Sequence, residues 1–151
     1  MKRMEADLVV IACGAAGTAA AAAAAECGLS VIAIEKSKKA GGAANAGMGP
    51  LGLNTTVQKR DLNTVTPEKA FRMFMDYTHW RVDANLVRKY FAKSGYTISW
   101  LEKMGVQFYK AARYFPGSEA TWHIVMPDNG KPGPGAAGTM IRRLVEYGES
   151  L

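Results

Sequence analysis

The run Asp7-Leu8-Val9-Val10-Ile11-Ala12-Cys13-Gly14-Ala15-Ala16-Gly17 constrains this chain more than any other stretch. Leu8 to Ile11 read as a buried apolar strand, a turn of very small residues follows, and an alanine-rich helix from Thr18 to Glu26 comes at once. A strand that passes through a tight turn into a helix aims the helix N-terminus, with its unpaired N–H groups and positive dipole end, at whatever lies over the turn. Small residues let a phosphate approach the backbone closely. The spacing matches the G-x-G-x-x-G fingerprint at its second and third positions, Gly14 and Gly17, while Ala12 stands at the first. If that first position requires a positive φ, the alanine is strained; if it requires only smallness, the alanine is accommodated.

The continuation completes a βαβ unit. Gly28 is placed to end the helix, Ser30 to Ile34 form a second apolar strand, and Glu35 falls 21 residues past Gly14. An acidic residue about 20 positions on accepts hydrogen bonds from an adenosine ribose, so the unit reads as a dinucleotide site with Glu35 and its neighbour Lys36 at the ribose end. The competing reading makes Glu35-Lys36-Ser37-Lys38-Lys39 a solvated charged turn.

Composition narrows the partners. At 151 residues the chain is about one domain. Its net charge of +6 would suit nucleic acid, yet the basic residues are scattered and nowhere interleave with aromatics, so no nucleic-acid partner is expected. No apolar stretch is long enough for a membrane span. The charged start, Met1 to Asp7, leads straight into a strand and does not read as a signal peptide, which makes cytoplasm the expected location. Two cysteines do not make a disulfide framework. Cys13 reads as a small residue filling a crowded turn, since no base accompanies it, and no metal centre is expected.

A second run of tiny residues, Gly41-Gly42-Ala43-Ala44-Asn45-Ala46-Gly47-Met48-Gly49-Pro50-Leu51-Gly52, follows the second strand by a few positions. Its place just after the acidic residue favours cofactor contact by Gly41, Gly42, Ala43, Gly47 and Met48 over a flexible linker. Asp-Leu-Val-Val-Ile-x-x-Gly-x-Ala-Gly, then Val-Ile-x-x-Glu-Lys, then Gly-Gly-x-x-x-x-Gly, resembles the flavoprotein subunit family of succinate dehydrogenase and fumarate reductase. That family includes soluble fumarate reductases, 3-ketosteroid dehydrogenases and urocanate reductases. The resemblance covers Asp7 to Gly49 closely and extends with weaker motifs to the end. It implies FAD, an α/β Rossmann-like doubly wound FAD-binding fold with a helical insertion, and hydride transfer between the flavin and an activated C–C bond of a dicarboxylate or other alkene. The candidate cofactor contacts are then Ala12, Gly14, Ala15, Ala16 and Gly17 in the turn, together with Glu35, Lys36 and the second run.

The segment 66–105 reads as helical. Thr66-Pro67-Glu68 is a start signal, with Ala70, Phe71, Phe74, Met75 and Thr78 on one face. Asp83 caps a second helix whose apolar stripe is Leu86, Val87, Tyr90 and Phe91. Tyr96 to Met104 form a third, ended by Gly105. His79 and Trp80 read as core, and Val106 to Tyr109 as a short edge strand. Residues 115–135 read as loop, carrying His123, which the resemblance implies hydrogen-bonds a substrate carboxylate. Residues 135–148 close the chain as an amphipathic helix with Met140, Ile141, Leu144 and Val145 inward.

The resemblance also implies substrate-gripping parts beyond residue 151, so the expected unit is a truncated FAD-binding domain with an incomplete active site. Exposed sheet edges in such a unit favour a homo-oligomer or a complementing subunit. The alternative is a catalytically inactive fragment or interaction module that retains the fold. A purely NAD-binding domain ranks third because of Gly41-Gly42.

Overall fold

The computed structural model describes residues 3–151; Met1 and Lys2 of the charged start lie outside the described residues. The first unit is β1 (Leu8–Ile11), α1 (Ala15–Glu26) and β2 (Val31–Ile34), with β1 and β2 parallel and in register from Leu8 opposite Val31 to Ile11 opposite Ile34. Its base is closed by Asp7, whose carboxylate accepts from both the backbone N–H and the hydroxyl of Ser30. The helix starts at Ala15, three residues earlier than the alanine run suggested, so Ala15, Ala16 and Gly17 form its first turn.

The glycine-rich run divides into two parts. Gly41 pairs with Gly14, and a short 3₁₀ turn covers Gly42–Ala46. Beyond it, the chain from Met48 to Gly52 lies along a strand from the far end of the sequence. Below, β3 is Phe108–Arg113 and β4 is Ala120–Val125, an antiparallel pair. Val125 donates to Met48 O at 2.9 Å, His123 to Pro50 O at 2.8 Å, and Gly52 to Thr121 O at 2.8 Å. Segment 115–135 therefore contains a strand where a loop was expected. Trp122, Ile124 and Val125 have strand propensity, realised by β3 just before β4 in sequence and by the 48–52 segment about 70 residues away.

Between these parts run α2 (Thr56–Arg60), α3 (Pro67–Tyr77) and α4 (Ala84–Lys103). Thr55, Thr66 and Asp83 cap them, each side chain accepting from N–H groups of the first turn, worth about 1 kcal/mol apiece. The expected second and third helices are one 20-residue helix, α4. Gly95 does not break it, because the position serves a close approach: a Cβ there would sit 2.6 Å from Leu53 O. Adjacent Ser94 accepts the Leu53 N–H at 3.0 Å.

The stripe expected on α4 is half realised. Val87 and Phe91 are buried with Phe71, Met75, Ala70, Val65 and Leu53, whereas Leu86 and Tyr90 are exposed. His79 and Trp80, expected as core, are exposed and adopt left-handed conformations after α3. The second, larger core joins α4 (Ile98, Leu101) to β3, β4 and α5 (Ala137–Glu149) through Met140, Ile141 and Leu144. Val145 is only half-buried. The alanines of α1 let α5 come close: Ala22 is buried, and Gly148 of α5 faces it across a gap that leaves 3.5 Å for a Cβ.

Candidate dinucleotide site

The turn after β1 is built from backbone geometry. Ala12 N–H donates to Ile34 O at 2.8 Å, the last rung between β1 and β2. Ala12 itself has φ 74°, so the first fingerprint position does require the left-handed region, and alanine occupies it at a strain of about 1–2 kcal/mol. Gly14 is the N-cap of α1 in an extended conformation, with open space where its Cβ would be. Gly17 packs so closely on Ala12 that a Cβ would collide with the Ala12 carbonyl. No side chain caps α1 and no acidic residue lies in its first turn. The N–H groups of Ala15, Ala16 and Gly17 thus form a positive helix end that no side chain among the described residues caps.

Glu35 and the second run close around this turn. Glu35 Oε2 accepts the Cys13 N–H at 2.9 Å and its Oε1 accepts the Ser37 N–H at 2.8 Å. These two backbone donors, Ser37 foremost, hold its carboxyl below the usual carboxylate range. Gly41, at φ 119°, donates to Cys13 O at 2.7 Å and carries no Cβ because the Asn45 side chain fills that space. Gly42 and Ala43 are exposed beside the turn, and Lys36 is exposed next to Glu35. Cys13 is buried, and burial followed by the nearby Glu35 charge pushes its thiol pKa up, which keeps it a neutral filler.

Gly47 and Met48 stand apart from that cluster. Gly47 O accepts from Gly135 and Ala137 N–H at 3.1 Å each, anchoring the start of α5, and Met48 O is the partner of β4.

His123 lies on β4 with 0 % exposure. Its Nδ1 is 2.9 Å from Thr121 O, which can only accept, so Nδ1 carries the proton. Its Nε2 then accepts the Thr55 hydroxyl at 2.7 Å, while Thr55 Oγ1 also receives the Gln58 N–H at 3.0 Å. Both ring nitrogens are used inside the protein, and burial lowers the imidazole pKa. Sequence gave no sign of the Thr55 partner, 68 residues away.

FAD fits these features on structural grounds. A left-handed first position, a bare N-cap with open space at its Cβ, a glycine under the turn and a carboxylate at the end of the second strand match the features by which such a turn takes a dinucleotide diphosphate. Together they define a dinucleotide-binding domain.

The chain belongs to the FAD binding domain family, whose model matches residues 7–151, among the flavoproteins of the succinate dehydrogenase and fumarate reductase type. Its cofactor is FAD. It is 37 % identical over 118 residues to a vinyl phenol reductase of Lactiplantibacillus plantarum (strain ATCC BAA-793 / NCIMB 8826 / WCFS1), covering 78 % of this chain and 24 % of that protein. The fold is similar to the open conformation of a flavocytochrome c3 fumarate reductase, with TM-score 0.80 and 23 % identity over 94 % of this chain and 24 % of that one. It is also similar to a 3-ketosteroid-Δ4-(5α)-dehydrogenase from Rhodococcus jostii RHA1, with TM-score 0.76 and 24 % identity over 99 % of this chain and 37 % of the other. The chain spans about a quarter of the length of the curated relative. Among the described residues, no helix is long and apolar enough to cross a membrane.

Proposed function

We propose that this chain is the FAD-binding part of a fumarate reductase-like flavoprotein oxidoreductase acting on an activated carbon–carbon bond. The observation that carries the reading is the turn itself: Ala12 at positive φ, bare Gly14 and buried-under Gly17 present an uncapped α1 to a pyrophosphate. In this reading the N–H groups of Ala15, Ala16 and Gly17 face the diphosphate. Glu35 and Lys36 stand at the ribose end, and Gly41, Gly42 and Ala43 run beside the dinucleotide. Gly47 and Met48 contribute by anchoring α5 and β4, and His123 is an internal strut rather than a grip on a substrate carboxylate. Bound FAD supplies the hydride acceptor or donor. An alkene substrate accords with the name of the vinyl phenol reductase, and a dicarboxylate with that of the fumarate reductase.

The parallel pair β1–β2 belongs, in this reading, to a Rossmann-like doubly wound sheet with further strands. Parallel sheets are covered on both faces, yet Val9 is 51 % and Ile11 80 % exposed. A further polypeptide segment, a second copy or a complementing subunit, covers that face. The test is titration of the purified protein with FAD, followed by flavin absorption near about 370 and 450 nm and by sedimentation. Failure to bind added FAD would sink the reading, and a monodisperse monomer would remove the association.

A further inference from the structure

Glu35 does more at the turn than contact with an adenosine would require. The β1–β2 ladder ends where Ala12 N–H meets Ile34 O. The next backbone donor, Cys13 N–H, has no strand carbonyl opposite it, and the Glu35 carboxylate takes that place at 2.9 Å. On the other side of the same residue, Cys13 O is held by Gly41 N–H at 2.7 Å. Cys13 is thereby gripped from both ends of its residue, between Ala12 in the left-handed region and Gly14 at the helix N-cap. Alanine at positive φ is uphill and persists only where its surroundings over-determine it. A free Cys13 amide would let the turn relax and swing the first turn of α1 away from its present aim.

We propose that Glu35 is a positioning residue that latches the phosphate-binding turn in its binding shape before any ligand arrives, in addition to any contact with a ribose. The two roles are compatible, because an ionised carboxylate offers about four lone-pair directions and the backbone donors of Cys13 and Ser37 occupy two. The second N–H, from Ser37, fixes the carboxylate so that its other oxygen points at the turn. The inference rests on the turn being an FAD diphosphate site.

Two readouts on the full chain test it. In ligand-free, ¹⁵N-labelled protein the Cys13 amide is protected from hydrogen exchange. In Glu35→Ala it exchanges at least tenfold faster, while the Ala12 amide, held by Ile34 O, changes far less. The second readout is affinity for inorganic pyrophosphate, which has no ribose. Removing a negative charge from beside the site should by itself tighten binding of an anion; loss of the latch instead weakens it severalfold. Glu35→Gln, which keeps one acceptor oxygen, recovers part of both effects and carries the same test if the alanine variant does not fold. Unchanged Cys13 exchange, or pyrophosphate bound as well as or better than by the unaltered protein, overturns the latch. Absence of FAD binding by the unaltered protein sinks the FAD reading instead, and the exchange result then judges the latch by itself.

Discussion

Gly17 sits directly beneath the carbonyl of Ala12: a Cβ on Gly17 would overlap that oxygen, and the Val10 side chain stands only 3.4 Å from the same point. The contact is what brings α1 down onto β1 and points its N-terminus across the turn. Replacing glycine by alanine inside a helix gains about 1 kcal/mol in propensity. Here the overlap with backbone overrides that gain, as overpacking costs about 1–3 kcal/mol or more. Gly17→Ala is therefore expected to lower the urea midpoint and abolish FAD binding. Unchanged stability would show that the helix can lift away freely.

Ala12 carries the opposite expectation. Its φ of 74° is one that glycine adopts without strain. Ala12→Gly relieves about 1–2 kcal/mol of strain and loses roughly 0.4–1 kcal/mol through a more flexible unfolded chain. The net lies between about zero and about 1.6 kcal/mol of stabilisation, with FAD affinity equal or higher. Chemical denaturation of the two proteins side by side checks the sign, and a less stable glycine variant contradicts the strain.

His123 makes stability depend on pH. Burial lowers its folded-state pKa below the ordinary 6.5. The unfolded chain therefore binds the proton more readily, and stability is complete above about 6.5 and declines as pH falls below it. Urea unfolding at pH 8 and pH 5.5 should show that decline in the native protein, and His123→Gln should flatten it over that range. The Gln variant should also be less stable at pH 8, since an amide does not reproduce both contacts to Thr55 and Thr121. Equal slopes in the two proteins would place the dependence on other groups.

Gly95 separates propensity from packing. In isolation a glycine in the middle of α4 weakens the helix by about 1 kcal/mol, so Gly95→Ala looks stabilising. The added Cβ would lie 2.6 Å from Leu53 O, a backbone atom held in place by the Leu53 N–H to Ser94 hydrogen bond. We expect net destabilisation of about 1–3 kcal/mol, read as a drop in thermal midpoint. A rise would mean that the 53–54 segment yields easily.

Much of the fold was legible because its signals are local. Capping residues Thr66 and Asp83 start α3 and α4 where the sequence predicts, and the amphipathic period of residues 135–148 buries Met140, Ile141 and Leu144. The misreadings share one cause. The helices expected to end after Phe91 and to begin at Tyr96 are one, because the local pattern does not show that Gly95 between them serves to admit Leu53 O. Trp80 looked like core because apolar periodicity does not register that α3 ends at Tyr77.

The amino-acid order by itself determined the βαβ unit, the small-residue turn, the acid at the end of the second strand and the class of cofactor, since each depends on residues within one short window. Tertiary structure alone decided three things: that the 48–52 segment hydrogen-bonds along β4, that His123 is sealed against Thr55, and that Glu35 reaches Cys13. Each joins residues 22 to 77 positions apart. Such contacts are fixed by which surfaces must be buried together and which backbone donors would otherwise lack a partner, and no local periodicity encodes them.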